Sequence, residues 1–200
     1  MAALAQPAPR TKLFISYSHR DREWLDRLVL HLGILERERR VHVWSDTKTQ
    51  VGRKWEREIQ GALSESRAAV LLITPAFLAS KYIWPKEMDL ILDHERTGDM
   101  EVLPLIAKPC AWRIAPQLAE RQARPQDGEA LSLGSESAID ANLAAFTYEI
   151  AGLLEQLSSA VASAEVDKTN MMRRLGSSSV DLSSQRRTSG SRQRRAKSKR

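Results

Sequence analysis

The sequence predicts an α/β fold built on a doubly wound parallel sheet of four to five strands, in the order 2-1-3-4-5, as a single domain with a disordered basic C-terminal tail. Three observations predict it. Short apolar runs alternate with stretches of helical periodicity along the first 160 residues. The run at residues 68–73 is apolar almost throughout, as a central parallel strand covered on both faces requires. Two hundred residues, 42% hydrophobic and 28% charged, make one ordinary domain with chain left over.

The elements follow in order. Residues 1–11, with two prolines and four alanines, read as a flexible arm. Leu13-Phe14-Ile15-Ser16-Tyr17 reads as a buried strand. Ser18-His19-Arg20-Asp21 is an S-x-x-D pattern of the capping-box kind. The helix it opens carries Trp24, Leu25, Leu28, Val29, Leu32 and Leu35 at helical spacing. Val41 to Trp44 is a second strand; a polar loop, residues 45–54, leads to a helix with Trp55, Ile59, Ala62 and Leu63 on its apolar side. The third strand, residues 68–73, ends at Thr74-Pro75. Pro85 is expected at the first position of the next helix, where its missing N–H costs nothing. Residues 101–106 form a fourth strand, which Pro104 places toward the sheet edge. Residues 107–137 hold three prolines and little periodicity, leaving room for a short fifth strand. A last helix runs from Ala138 to about Ala164.

This alternation means right-handed crossovers with helices on both faces, the flavodoxin-like arrangement. Ligands in such sheets sit beyond the carboxyl ends of the strands, where the winding reverses beside the first strand. The loops that meet there are residues 18–21, 45–54 and 74–85.

Composition excludes several classes: a fully disordered chain, a collagen-like chain and an overall coiled coil. No apolar run nears the ~18 residues of a membrane span, and the N-terminus lacks a signal-peptide pattern. With one cysteine, Cys110, no internal disulfide is expected, and the residue reads as a small buried filler. A soluble, cytoplasmic protein is the expectation. The net charge of +6 belongs to the tail: residues 173–200 hold ten basic residues and one acid, and the remainder holds 21 basic and 24 acidic.

The usual phosphate cradles, G-x-x-x-x-G-K-[ST] and G-x-G-x-x-G after the first strand, are missing, as is a G-x-S-x-G elbow. Histidines 19, 31, 42 and 94 lack metal-ligand spacing, so no metal site is expected. Ser18, His19 and Asp21 fit a capping turn better than a catalytic triad.

Five fragments nevertheless carry a resemblance. Phe14-Ile15-Ser16-Tyr17-Ser18, Trp44-Ser45-Asp46, Gly52-x-x-Trp55, the run from Ser66 to Pro75 and Trp84-x-x-Glu87 occur in order, each at its element boundary. Together they resemble a TIR (Toll/interleukin-1 receptor) domain over about residues 12–157, and the stretch from Leu103 to Trp112 is similar to prokaryotic-type members. The domain is accordingly expected over residues 12–164, with a tail over 165–200.

The resemblance implies one of two roles. Some TIR domains are non-catalytic scaffolds that bind other TIR domains in signal transduction. Others cleave NAD⁺ at the nicotinamide–ribose bond, often in anti-phage or immune defence, and act when self-assembled. For the enzymes it implies Glu87 as the catalytic group, after Ser80 and Trp84; Pro85 stands where plant-type members usually carry cysteine. It further implies NAD⁺ as substrate without a separate cofactor, and a binding site drawn from Tyr17, Ser18, His19, Arg20, Asp46, Gly52, Arg53, Trp55, Ser80 and Trp84.

Chemistry supports a single carboxylate. Most glycoside hydrolysis uses two, because an alkoxide leaving group must be protonated. The nicotinamide of NAD⁺ is a cation that leaves neutral, so what needs stabilising is the charge growing on the ribose, by a fixed carboxylate. Against this stands the ordinary use of a glutamate in the first turn of a helix, beside the positive end of the macrodipole. Arg20 reads either as a partner for the diphosphate or as a solvated helix-start residue. Trp44 and Trp55 read more readily as packing than as ring-stacking groups, and Asp46 more as ordering its own loop.

Residues 173–200, rich in Ser, Lys and Arg, bury too little apolar surface to fold. They read as a solvated tail or as a weak contact to nucleic acid or an anionic membrane. A receiver or flavin domain is a third reading of the frame, but the acidic cluster a receiver needs after the first strand is replaced by Ser16-Tyr17-Ser18.

Overall fold

The computed structural model describes residues 12–45 and 53–185. The arm at 1–11, residues 46–52 (with Asp46 and Gly52) and residues 186–200 of the tail lie outside the described residues. Two compact units are distinguished, Met1–Gln156 and Leu157–Arg200.

Four parallel strands form one sheet in the order β2-β1-β3-β4: β1 Lys12–Ser16, β2 His42–Ser45, β3 Ser66–Ile73 and β4 Glu101–Ile106. The helices are α1 Arg22–Arg37, α2 Arg53–Ser64, α3 Pro75–Leu78, α4 Met88–Arg96, α5 Pro116–Ala119 and α6 Glu136–Gln185. This is the doubly wound α/β arrangement expected. Alternation in β1 and β3 builds two cores. Leu13, Ile15, Tyr17, Ala68, Val70 and Leu72 pack with Leu28 and Leu32 of α1 and Leu143, Phe146 and Ile150 of α6. Phe14, Ala69, Leu71 and Ile73 face Ile59 and Leu63 of α2, Phe77 of α3 and Met88 and Ile91 of α4. β3 is apolar along its length because both of its faces are covered.

The fifth strand is reduced to one bridge. Arg124 pairs in parallel with Leu105, its N–H donating to Pro104 O (2.8 Å) and its carbonyl accepting from Ile106 N (2.7 Å). Prolines and the short helical turns Trp112–Ile114, Pro116–Ala119 and Leu131–Leu133 keep this stretch from extending further. Pro104 lies in β4, the last full strand of the sheet, where its missing N–H deprives no inner neighbour. At the opposite flank, Val43 N of β2 donates to the Glu36 carboxylate at 2.9 Å.

Two local expectations are corrected. Pro85 does not open its helix. A π-helical turn, Ile83–Glu87, precedes α4, with Pro85 at its third residue and Met88 N–H donating to Ile83 O, five residues back. The wider turn tolerates a residue that has no backbone N–H. Nor is Asp21 a capping acid. Ser18 caps as expected, its hydroxyl accepting from Arg20 N, but the Asp21 side chain turns inward.

α6 extends to Gln185, past the point near Ala164 where the apolar periodicity fades. No helix among the described residues is long and apolar enough to cross a membrane.

Candidate functional site

β1 and β3 are neighbours from which the chain departs to opposite faces, α1 to one and α3 with α4 to the other. The carboxyl ends of β1 and β3 therefore mark the switch point of the sheet. Tyr17, the residue after β1, is buried and lies 5.4 Å, ring to ring, from exposed His19. Ser18 is half-buried and Arg20 exposed.

On the other side of the switch point, Thr74 follows β3 and caps α3, its hydroxyl accepting from Phe77 N at 3.0 Å. After α3, Ser80 caps the next turn: its Oγ accepts from Tyr82 N (3.3 Å) and Ile83 N (3.2 Å). Trp84 is half-buried and meets Phe77 edge-on, centroids 6.5 Å apart at 71°. Lys86 is exposed and lies 5.8 Å from the Tyr82 ring. Glu87 closes the π turn and is only 7% exposed.

Three of the expected residues, Ser80, Trp84 and Glu87, thus share one short segment after β3, and Tyr17, Ser18, His19 and Arg20 share the loop after β1. Arg53 and Trp55 sit in the first turn of α2. Trp44 is a packing residue, stacked on Phe14 at 4.8 Å and 18°.

Asp21, Thr74 and Lys108 form a polar cluster at these strand ends that the sequence did not single out. Asp21 is 3% exposed; Thr74 Oγ1 donates to its Oδ2 at 2.6 Å and Lys108 Nζ to its Oδ1 at 3.0 Å. Lys108 also pairs with Glu23 at 3.0 Å. Hydrogen bonds to Asp21 and then to Glu23 raise the Lys108 ammonium above its ordinary pKa. The signal available in the sequence was positional. Three polar residues stand just past the ends of β1, β3 and β4, and the strand order makes those ends adjacent.

A cavity of about 710 Å³ lies elsewhere, between Arg124–Asp127 and the α6 residues Asn142, Phe146 and Glu149, and none of the expected site residues lines it. Arg124 is paired there with Glu149. Among the described residues no group of three or more His, Cys, Asp or Glu side chains is placed to hold a metal ion.

The model of the TIR domain matches residues 13–133, more than half of the chain. The uncharacterized protein y4lF of Sinorhizobium fredii (strain NBRC 101917 / NGR234) is 30% identical over 120 residues, which is 60% of this chain and 37% of that protein. The chain therefore spans little over a third of that relative's length. Among solved structures, the TIR domains of the activated Roq1 resistosome directly recognizing the pathogen effector XopQ align with a TM-score of 0.42 at 21% identity, covering 66% of this chain and 83% of that one.

Proposed function

The chain belongs to the TIR domain family, and from that premise we propose that it is an NAD⁺ nucleosidase acting in cytoplasmic defence signalling, with Glu87 as its catalytic group. The observation that carries this reading is the burial of Glu87. A glutamate that merely complements a helix dipole does so from solvent, where the interaction is worth ~0.3–1 kcal/mol. At 7% exposure Glu87 is withdrawn from bulk water, so its carboxylate is held within the π turn, as a group that stabilises charge on a ribose from a fixed position has to be.

The chemistry follows from the substrate. Nicotinamide departs with the electron pair of the C1′–N bond and needs no proton. The ribose becomes oxocarbenium-like, and the Glu87 carboxylate stabilises that charge from a fixed position. Water then adds at C1′ and loses a proton, giving ADP-ribose; attack by an adenine nitrogen in its place gives the cyclic product. The loop from Tyr17 to Arg20 would face the diphosphate, with exposed Arg20 as its charge partner. Ser80 and Trp84 would line the nicotinamide end.

Incubating the full chain with NAD⁺, with and without a crowding agent, and following nicotinamide release tests the reading. Glu87→Gln should lose at least about two orders of magnitude in rate while keeping its unfolding transition. Equal turnover by the variant overturns the assignment.

The scaffold reading has its own support. Leu30 and Ile34 stand one turn apart on α1, 80% and 52% exposed, and Tyr148 of α6 is 80% exposed. Such side chains suit contact with another TIR domain or a second copy. Leu30→Asp with Ile34→Asp should then weaken self-association in sedimentation without altering the fold.

A further inference from the structure

We propose that Asp21 is a positioning residue for Glu87: its buried carboxylate locks the loop after β1 to the segment that presents the glutamate. What the site does rests on the nucleosidase reading above; the lock itself rests on geometry.

Among the described residues, no backbone hydrogen bond joins the segments that leave β1 and β3 at the switch point. β1 and β3 are hydrogen-bonded along their length, but the chain leaving each goes to an opposite face of the sheet. The residues expected to hold substrate are divided between those two exits. A side-chain link must fix one against the other, since loops supply precise geometry only when held by a rigid scaffold.

Thr74 makes that link through one oxygen. Its hydroxyl proton goes to Asp21 Oδ2 at 2.6 Å, and its lone pair receives Phe77 N–H at 3.0 Å. The Phe77 ring then meets Trp84, three residues before Glu87. A continuous set of contacts runs from Asp21 through Thr74, Phe77 and Trp84 to the π turn. Lys108 supplies the countercharge on the other carboxylate oxygen and ties in the chain after β4. An acid with both oxygens engaged by two different segments is held in one orientation, which a helix-capping acid in solvent is not.

A lock of this kind predicts local effects, whereas a purely structural ion pair predicts a uniform loss of stability. The full chain is compared with Asp21→Ala, Asp21→Asn, Thr74→Val and Thr74→Ser, reading NAD⁺ cleavage and amide hydrogen exchange together. Asp21→Ala and Thr74→Val should each lower kcat about tenfold or more, with a smaller change in KM. Exchange should quicken over residues 80–87 and stay unchanged over 139–154 of α6. Thr74→Ser, which keeps the hydroxyl, should restore both readouts. The Asp21→Ala/Thr74→Val double variant should be no worse than the poorer single one, because both break the same link.

If Asp21→Ala fails to fold, Asp21→Asn keeps an acceptor for Thr74 and removes only the charge; it should show the same local exchange in milder form. Folded variants with wild-type exchange over 80–87 overturn the lock, as does a loss spread equally over α6. If the wild-type chain releases no nicotinamide, the nucleosidase reading falls, while the exchange comparison still decides for or against the lock.

Discussion

Ser80 holds Ile83 at the start of the turn that ends in Glu87: the Ser80 hydroxyl accepts from Ile83 N at 3.2 Å and from Tyr82 N at 3.3 Å. The first N–H groups of a helix have no partner inside it, and this side chain supplies one. Ser80→Ala should cost about 1 kcal/mol of stability. It should also slow NAD⁺ cleavage several-fold, because the turn frays where Glu87 is presented; Ser80→Thr should recover most of both. Urea unfolding beside initial-rate measurement checks the pair, and an unchanged rate would separate the cap from the site.

Gly128 sits at φ +73°, and a Cβ there would meet Arg113 Nη2 at 2.4 Å. That guanidinium lies over the Trp112 ring, 4.5 Å from its centroid. The clash falls on the movable end of a long side chain, so backbone strain dominates. Gly128→Ala should destabilise by about 1 kcal/mol, read as a lower urea midpoint at constant slope, with cleavage activity retained.

Lys108 titrates above its ordinary value because Asp21 and Glu23 accept hydrogen bonds from its ammonium. A cation whose pKa rises on folding contributes stability that is fully present below its unfolded pKa and is lost as pH climbs through the folded one. Unfolding midpoints should therefore fall on the alkaline side, from about pH 10.5 upward. Lys108→Met should be less stable at neutral pH and flatter across that window. A variant with the wild-type slope there would remove Lys108 as the source.

Cys110 has its thiol pKa raised by burial. Alkylation proceeds through the thiolate, so iodoacetamide at pH 8 should modify the folded chain several-fold more slowly than a free thiol. Denaturant should restore the ordinary rate. With one cysteine in the chain, mass spectrometry reads this without ambiguity.

The strands and most helices were legible because each is set by its own periodicity. β4 is Glu101–Ile106 as its pattern indicates, and α2 buries Ile59, Ala62 and Leu63 as spaced. What escaped is set by partners distant in sequence. Asp21 has the local pattern of a cap, and its actual partners lie 53 and 87 residues away. The π turn under Pro85 is likewise invisible to a periodicity count, since one inserted residue leaves the apolar spacing of Met88, Ile91 and Leu92 intact. Arg124 stands in for a strand through a single pairing, too short to leave an alternation. Of the proposed site, the segment Ser80–Trp84–Glu87 rests on resemblance; the Asp21 carboxylate behind it left no such trace in the sequence.

The two flanks of the sheet constrain how copies of this chain can join. On the β4 side, Pro104 has no N–H to offer, and its carbonyl and the Ile106 N–H are already engaged by Arg124. On the β2 side, Val43 N–H is taken by Glu36. A sheet blunted in this way gives a neighbouring chain little main-chain template to zip onto. Assembly mortared instead by side chains on helices and loops would stay reversible and answerable to point mutation, unlike the self-propagating stacking of exposed ribbon ends.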